Sequence, residues 1–350
     1  MSYWWDEDIG GRTPEFLNFR IQVCAPLLAF LWLCLSSCST ARDPATIQMA
    51  VGGQTQFIYL PLTLASQLGY FKDEGLTVNI SDLRGGSEAV AALMSGSVDA
   101  VTGFYEHTIR ARAQGKKLVM VVLFDRYPGV VLMVGKRHIA TVQTIKDLTG
   151  KPVGVTAAGS STDQLLKYLL RKNQMDPQAI PVVTAGVSTM LTALQQDRIW
   201  AGVIVDPLAS QLEREGLAKP LYDTRTEKGT LDIFGGPWPA GGFYTTEDFI
   251  RQHPRTVQAL VNAGLRGLEY IKDHSPEVIA AAVPASFWAG DRDGYVLSLR
   301  ANIGLYSADG LMPEEGASNV LKSLSLVDTT IAQANIDLRG TYDNTFVSNH

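Results

Sequence analysis

The sequence predicts an α/β fold of two lobes, each a mostly parallel sheet flanked by helices, joined by two hinge crossings. Three observations carry that expectation. Short β-branched runs alternate with helical patterns, the alternation stops and restarts mid-chain, and glycine or proline breakers stand where the chain would change lobes. The chain has 350 residues and 46% hydrophobic content, enough for two lobes with sizeable cores. Its formal net charge is −5, with both signs spread along the sequence. No basic stripe points to nucleic acid and no charge run to a solvated tail.

The N-terminus comes first. Residues 21–35 form an unbroken apolar run behind Arg20. At about fifteen residues it is shorter than the roughly twenty a bilayer span needs, and it fits the apolar region of a secretory signal. It ends in Leu35-Ser36-Ser37-Cys38, the form of a bacterial lipobox, in which small residues admit the peptidase and the cysteine thiol accepts the lipid. Residues 1–37 are therefore expected to be a signal peptide and 38–46 a lipidated cysteine with its linker; the alternative is a plain signal or an uncleaved anchor. All three cysteines, Cys24, Cys34 and Cys38, lie here, so the chain beyond them can form no disulfide and no thiolate metal site.

Past the linker, 47–51 reads as a strand, 60–71 as a helix with Leu64, Leu68 and Phe71 on one face, and 76–80 as a second strand. A short helix at 87–94, a strand at 98–102 and a helix at 108–114 follow. The run 118–124 has the composition of a strand buried on both faces. The pattern restarts after Lys136-Arg137 with a strand at 153–156, a helix at 162–172 striped by Leu165, Leu166, Leu169 and Leu170, then strand, helix and strand to 205. Gly235, Gly236, Pro237, Pro239, Gly241 and Gly242 form a breaker-rich return, and long helical patterns occupy the rest. Lobe 1 is expected from 47–134 plus 241–346, and lobe 2 from 135–240.

Several stretches resemble a known family: Leu68-Gly69-Tyr70-Phe71-Lys72-Asp73-Glu74-Gly75-Leu76, Gly85-Gly86-Ser87, Leu93-Met94-Ser95-Gly96-Ser97-Val98-Asp99-Ala100 and Ile145-Lys146-Asp147-Leu148-Thr149-Gly150-Lys151-Pro152-Val153-Gly154-Val155. Over 47–346 the chain is similar to the solute-binding proteins of nitrate, sulfonate and taurine importers, in a superfamily shared with thiamine-pyrimidine synthases. The resemblance implies a type II periplasmic-binding-protein fold. It also implies capture of a small molecule by hinge closure and delivery to the permease and ATPase subunits of an ABC importer. With the lipobox at Cys38, the absence of catalytic motifs and the lack of a basic stripe, the expectation is a membrane-anchored monomer outside the cytoplasm, with no cofactor, no catalysis and no nucleic acid. Gly75 suits a left-handed helix cap. Gly150-Lys151 is no phosphate loop, since Pro152 stands where Ser or Thr is needed.

Ligands in open α/β sheets bind beyond the carboxyl ends of strands, where helices begin. Candidate contacts are Gln54, Thr55, Gln56, Phe57 and Tyr59 after the first strand; Arg84, Gly86 and Ser87 after the second; and Ser160, Ser161, Thr162 and Ser188 in lobe 2. Phe104, Tyr105, Arg126, Asp206 and Trp238 complete the set. Each serine has a competing use as a helix cap: Ser87 and Ser188 singly, Ser161 in a box with Gln164. His107 reads as a hydrogen-bonded structural histidine, and Asp291 as the cap of a helix starting near Tyr295. Arg84, Arg126 and the helix starts favour a small organic anion (sulfonate, carboxylate or nitrate-like). Glu106, Asp125 and Asp206 would instead hold a pyrimidine or another neutral or cationic heterocycle. Rival functions are a synthase-like enzyme, which the resemblance ties to a cysteine-rich, iron-binding segment, the sensing half of a transcription regulator, and a feeder for a sensor.

Overall fold

The computed structural model describes residues 45–350. The expected signal segment, Cys38 and all but the end of the linker lie outside the described residues. Two five-stranded sheets organise the rest. The first is ordered β2-β1-β3-β10-β4, from β1 (Thr46–Val51), β2 (Thr77–Asp82), β3 (Ala100–Phe104), β4 (Leu118–Leu123) and β10 (Gly241–Thr246). The second is ordered β7-β6-β8-β5-β9, from β5 (Val130–Gly135), β6 (Val153–Val155), β7 (Val182–Thr184), β8 (Ala201–Val205) and β9 (Ala218–Asp223).

In each sheet one strand opposes the others: β10 is antiparallel to β3 and β4, and β5 to β8 and β9. The sheets are thus mixed, with parallel pairs on one side. β5 also moves a boundary. Residues 130–134, expected to end lobe 1, pair along their length within the second sheet, Val131 opposite Ile204 and Leu132 opposite Tyr222. All six residues of β5 are buried, and a strand buried on both faces needs an inner position. The crossing therefore lies before it, at Pro128-Gly129, where Gly129 has φ +63°. The charges at Lys136-Arg137 mark only the strand's end.

Helices cover both sheets. In the first lobe they are α1 (Leu60–Gln67), α2 (Tyr70–Asp73), α3 (Gly86–Met94) and α4 (Glu106–Ala113). In the second they are α5 (Ser161–Lys172), α6 (Gly186–Gln195), α7 (Leu208–Arg214) and α8 (Glu227–Phe234). After β10 come α9 (Glu247–Gln252), α10 (Pro254–Asp273), α11 (Pro276–Ala281), α12 (Arg292–Asn302) and α13 (Glu314–Val327). α10 lies along α1 under the first sheet, its Val257, Leu260, Val261, Leu265 and Leu268 buried at helical spacing. α12 packs on α7, and α13 on both α5 and α4, so the C-terminal helices strap the two lobes together. Gly75 takes φ +77°, the left-handed turn expected of it, and Leu76 N–H donates to the Phe71 carbonyl at 2.8 Å. Asp291 caps α12 by accepting from Gly294 N–H at 2.8 Å. No helix among the described residues is long and apolar enough to cross a membrane.

Candidate ligand-binding cleft

β1, β2 and β3 run parallel, as do β6, β7 and β8, so each set ends at one edge of its sheet. Between the loops after β1 and β2 on one side and β7 and β8 on the other lies a cavity of about 770 Å³. Thr55, Gln56 and Arg84 reach it from the first lobe and Ser188 from the second. Four expected contacts therefore meet in one place. Sequence reasoning missed several further lining residues, among them Asp82, Thr156, Leu208 and Phe287. Apolar residues beside strand ends carry no polar signal, and Phe287 arrives from a distant C-terminal turn.

The remaining candidates sit elsewhere, each for a physical reason. Gln54 is held away by its backbone: the N–H groups of Gly53 and Gln54 donate to Asp82 Oδ1 at 2.8 and 2.9 Å, and its side chain reaches Thr63 at 3.4 Å. Phe57 and Tyr59 are core rather than stacking surfaces. Phe57 meets Tyr295 edge-on at 5.1 Å, and its N–H donates across the lobes to the Asp206 carbonyl at 2.9 Å. Burial pushes the Tyr59 hydroxyl's pKa up. Tyr105 is buried with its hydroxyl 2.6 Å from that of Thr341. Trp238 is no roof: it stacks on Phe234 at 5.0 Å, lies 6.3 Å from Phe104, and fills a separate seam between lobes. Arg126 is exposed and paired with Glu227 at 3.2 Å, beside a different depression. Asp206 lies buried behind the cleft, accepting from Ser210 N–H at 2.7 Å, with Arg225 at 3.7 Å. Burial raises its pKa and Arg225 opposes the rise.

The capping expectations also change. The N-caps of α3, α5 and α6 are Gly85, Ser160 and Ala185, and none caps through its side chain. Ser87, Ser161 and Ser188 each lie inside the first turn instead. Ser160 joins Thr156 and Thr162 in a buried knot of hydroxyls 2.8–3.0 Å apart, which satisfies all three locally.

Ser161 does something different. Its hydroxyl donates across the cleft to Glu106 Oε1 at 2.9 Å. Glu106 opens α4, is fully buried, and has Arg110 at 3.4 Å; Arg110 in turn donates to the Gly159 carbonyl of the opposite lobe at 2.7 Å. His107 closes the cluster, with Nδ1 2.9 Å from the Tyr244 hydroxyl and Nε2 3.2 Å from Glu106. The carboxylate only accepts, so the ring proton belongs on Nε2 and Nδ1 accepts from Tyr244. Burial lowers the pKa of His107, which favours the neutral ring despite Glu106. It is the hydrogen-bonded structural histidine expected. Gly86 packs against that ring, and Ser87 faces a separate depression with Arg110 and Lys116.

The family model described as NMT1/THI5 like matches residues 56–278. A solved protein of Bordetella bronchiseptica RB50 is 36% identical, with TM-score 0.85 over 87% of this chain and 96% of its own. The alkanesulfonate-binding protein SsuA from Xanthomonas axonopodis pv. citri, bound to MOPS, shares the fold: TM-score 0.67 and 17% identity over 87% of this chain and all of its own. A 4-amino-5-hydroxymethyl-2-methylpyrimidine phosphate synthase of Saccharomyces cerevisiae is 25% identical over 222 residues, 61% of this chain. The match spans 63% of that enzyme's length, short of two thirds.

Proposed function

The chain belongs to the NMT1/THI5-like family, and on that premise we propose that it is the solute-binding component of an ABC-type importer. One observation carries this reading: a cavity of about 770 Å³ is bounded by the strand ends of both lobes, so its volume depends on how the lobes sit. A ligand touching Thr55 and Gln56 on one side and Ser188 on the other stabilises the shut form over the open one. Closure then follows from differential affinity, and the shut outer surface is what permease and ATPase subunits would recognise. Export behind residues 1–37 and a lipid on Cys38 would hold the protein at a membrane, as a monomer. The likeness to SsuA supports capture of a small-molecule solute.

A thermal-shift panel tests the reading, with sulfonates, carboxylates, nitrate and neutral heterocycles side by side. A bound ligand at a hundred times its Kd stabilises by about 2.7 kcal/mol, or a melting shift of several degrees for a chain of this size. A panel with no shift in any class counts against solute capture. Cys38→Ser should move the protein from membrane to soluble fraction; persistence at the membrane would rule out the lipid anchor.

The synthase relatives favour a second reading, an enzyme of the pyrimidine-phosphate class. The two differ in the fate of the ligand. A binding protein returns it with unchanged mass after denaturation, whereas an enzyme returns a product.

A further inference from the structure

We infer that the molecule held between the lobes is uncharged, with a substantial apolar body and a neutral polar head such as an amide, carbonyl or hydroxyl. The inference deepens the solute-capture reading and rests on it.

Size excludes the smallest candidates. A volume of about 770 Å³ lies in the range that buries drug-sized organic ligands, and a nitrate-sized ion would leave most of it to water. The walls exclude a wholly polar guest. Val187, Met190, Leu191, Ile204 and Leu208 line the second-lobe side together with Thr184, Thr189 and Gln211, and Phe287 adds a further apolar surface. Facing them are the neutral groups of Thr55 and Gln56, with the Ser188 hydroxyl on the second-lobe side itself. The Gln56 amide N–H already donates to the Gly52 carbonyl at 3.2 Å.

Charge is the deciding point. Two charged lining side chains are present, Asp82 and Arg84, of opposite sign and both on the exposed rim. The Arg84 side chain is 78% exposed and already paired with Glu88 at 2.7 Å. Arg126, the other cation expected, is bound to Glu227 outside the cavity. One of the helix starts expected to favour an anion, that of α5, meets the protein's own carboxylate, since Ser161 donates to Glu106. A desolvated anion with no buried cation beside it carries a large penalty, whereas a neutral head hydrogen-bonded to hydroxyls and amides carries little. The start of α6 also lines the cavity, and its N–H groups serve a neutral carbonyl as well as a carboxylate.

Matched pairs test this directly: octanamide against octanoate, and indole-3-acetamide against indole-3-acetate, titrated calorimetrically into detergent-extracted full-length chain and its Arg84→Gln variant. Amides should bind at least about tenfold tighter than their acids, with affinity unchanged within twofold between low and high salt and in Arg84→Gln. Acids that bind tighter than amides, and lose that preference in Arg84→Gln, overturn the uncharged ligand while leaving solute capture intact. If neither class binds, and nitrate and methanesulfonate also give no heat, solute capture falls and the inference falls with it.

Discussion

The two ends of the cleft are built from the same parts and have opposite fates. At each, a strand of one lobe runs into a helix that faces a strand-to-helix loop of the other. At one end Glu106, Arg110 and His107 meet Ser161 and Gly159, and the polar groups of the two lobes satisfy each other. At the other, Thr55 and Gln56 of one lobe and Ser188 with its apolar neighbours of the other bound about 770 Å³ of space. The difference lies in side-chain reach: the Glu106 side chain crosses the gap, whereas beside the open end the lobes meet through backbone, Phe57 N–H donating to the Asp206 carbonyl. A helix start next to a cleft is therefore a ligand site only where the opposite lobe leaves it unanswered.

The comparison can be broken most forcefully at Glu106. Glu106→Ala leaves Arg110 without its buried carboxylate and should destabilise the chain by about 3 kcal/mol in urea unfolding; a loss under about 1 kcal/mol would mean that end is not sealed. The same end should show a pH signature. His107 has a folded pKa below its unfolded value, so its contribution is fully present above about pH 6.5 and is lost as pH falls from there through the lower folded pKa. Wild-type stability should fall there by up to about 1.4 kcal/mol per pH unit, and His107→Gln should flatten the slope. Glu106, Arg110 and Tyr244 face the ring, so the profile should be measured in the Glu106→Gln background too. Ser161→Ala removes one hydrogen bond across the cleft and should cost about 1 kcal/mol. A double-mutant cycle with Glu106→Gln should recover most of that as coupling. Ser188→Ala, at the open end, should leave the melting temperature within about 1 °C while weakening ligand binding. Arg126→Ala should change neither.

Much of the fold was legible because its signals are local. Alternating strands and helices, the turn at Gly75 and the cap at Asp291 depend on neighbours in sequence. β5 was misassigned to lobe 1 because a run of buried valines reads the same in either sheet, and only its partners decide. The cleft was legible as a set of loops but not as a set of contacts. Polar residues at strand ends read as ligand groups in the sequence, yet Ser160 and Thr162 bond to each other, Gln54 to Thr63, and Ser161 to Glu106. The aromatics Phe57, Tyr59, Phe104, Tyr105 and Trp238 followed the commoner rule and went into the core. What sequence cannot supply is which polar group already has a partner from elsewhere in the chain.

The place of β10 has a consequence for how the molecule comes into being. That strand lies inside the first sheet, between β3 and β4, though it follows the whole second lobe in sequence. At its first residue a side chain at Gly241 would collide with the Asp125 carboxylate, so the return is fitted closely. A chain emerging from its N-terminus holds β1 to β4 with a gap at an inner position until Thr246 appears. The second sheet draws all five strands from 130–223 without interruption and waits for nothing. The lobe that begins first is therefore completed last, and the long-range pairing of β10 is the step that should set the pace of folding.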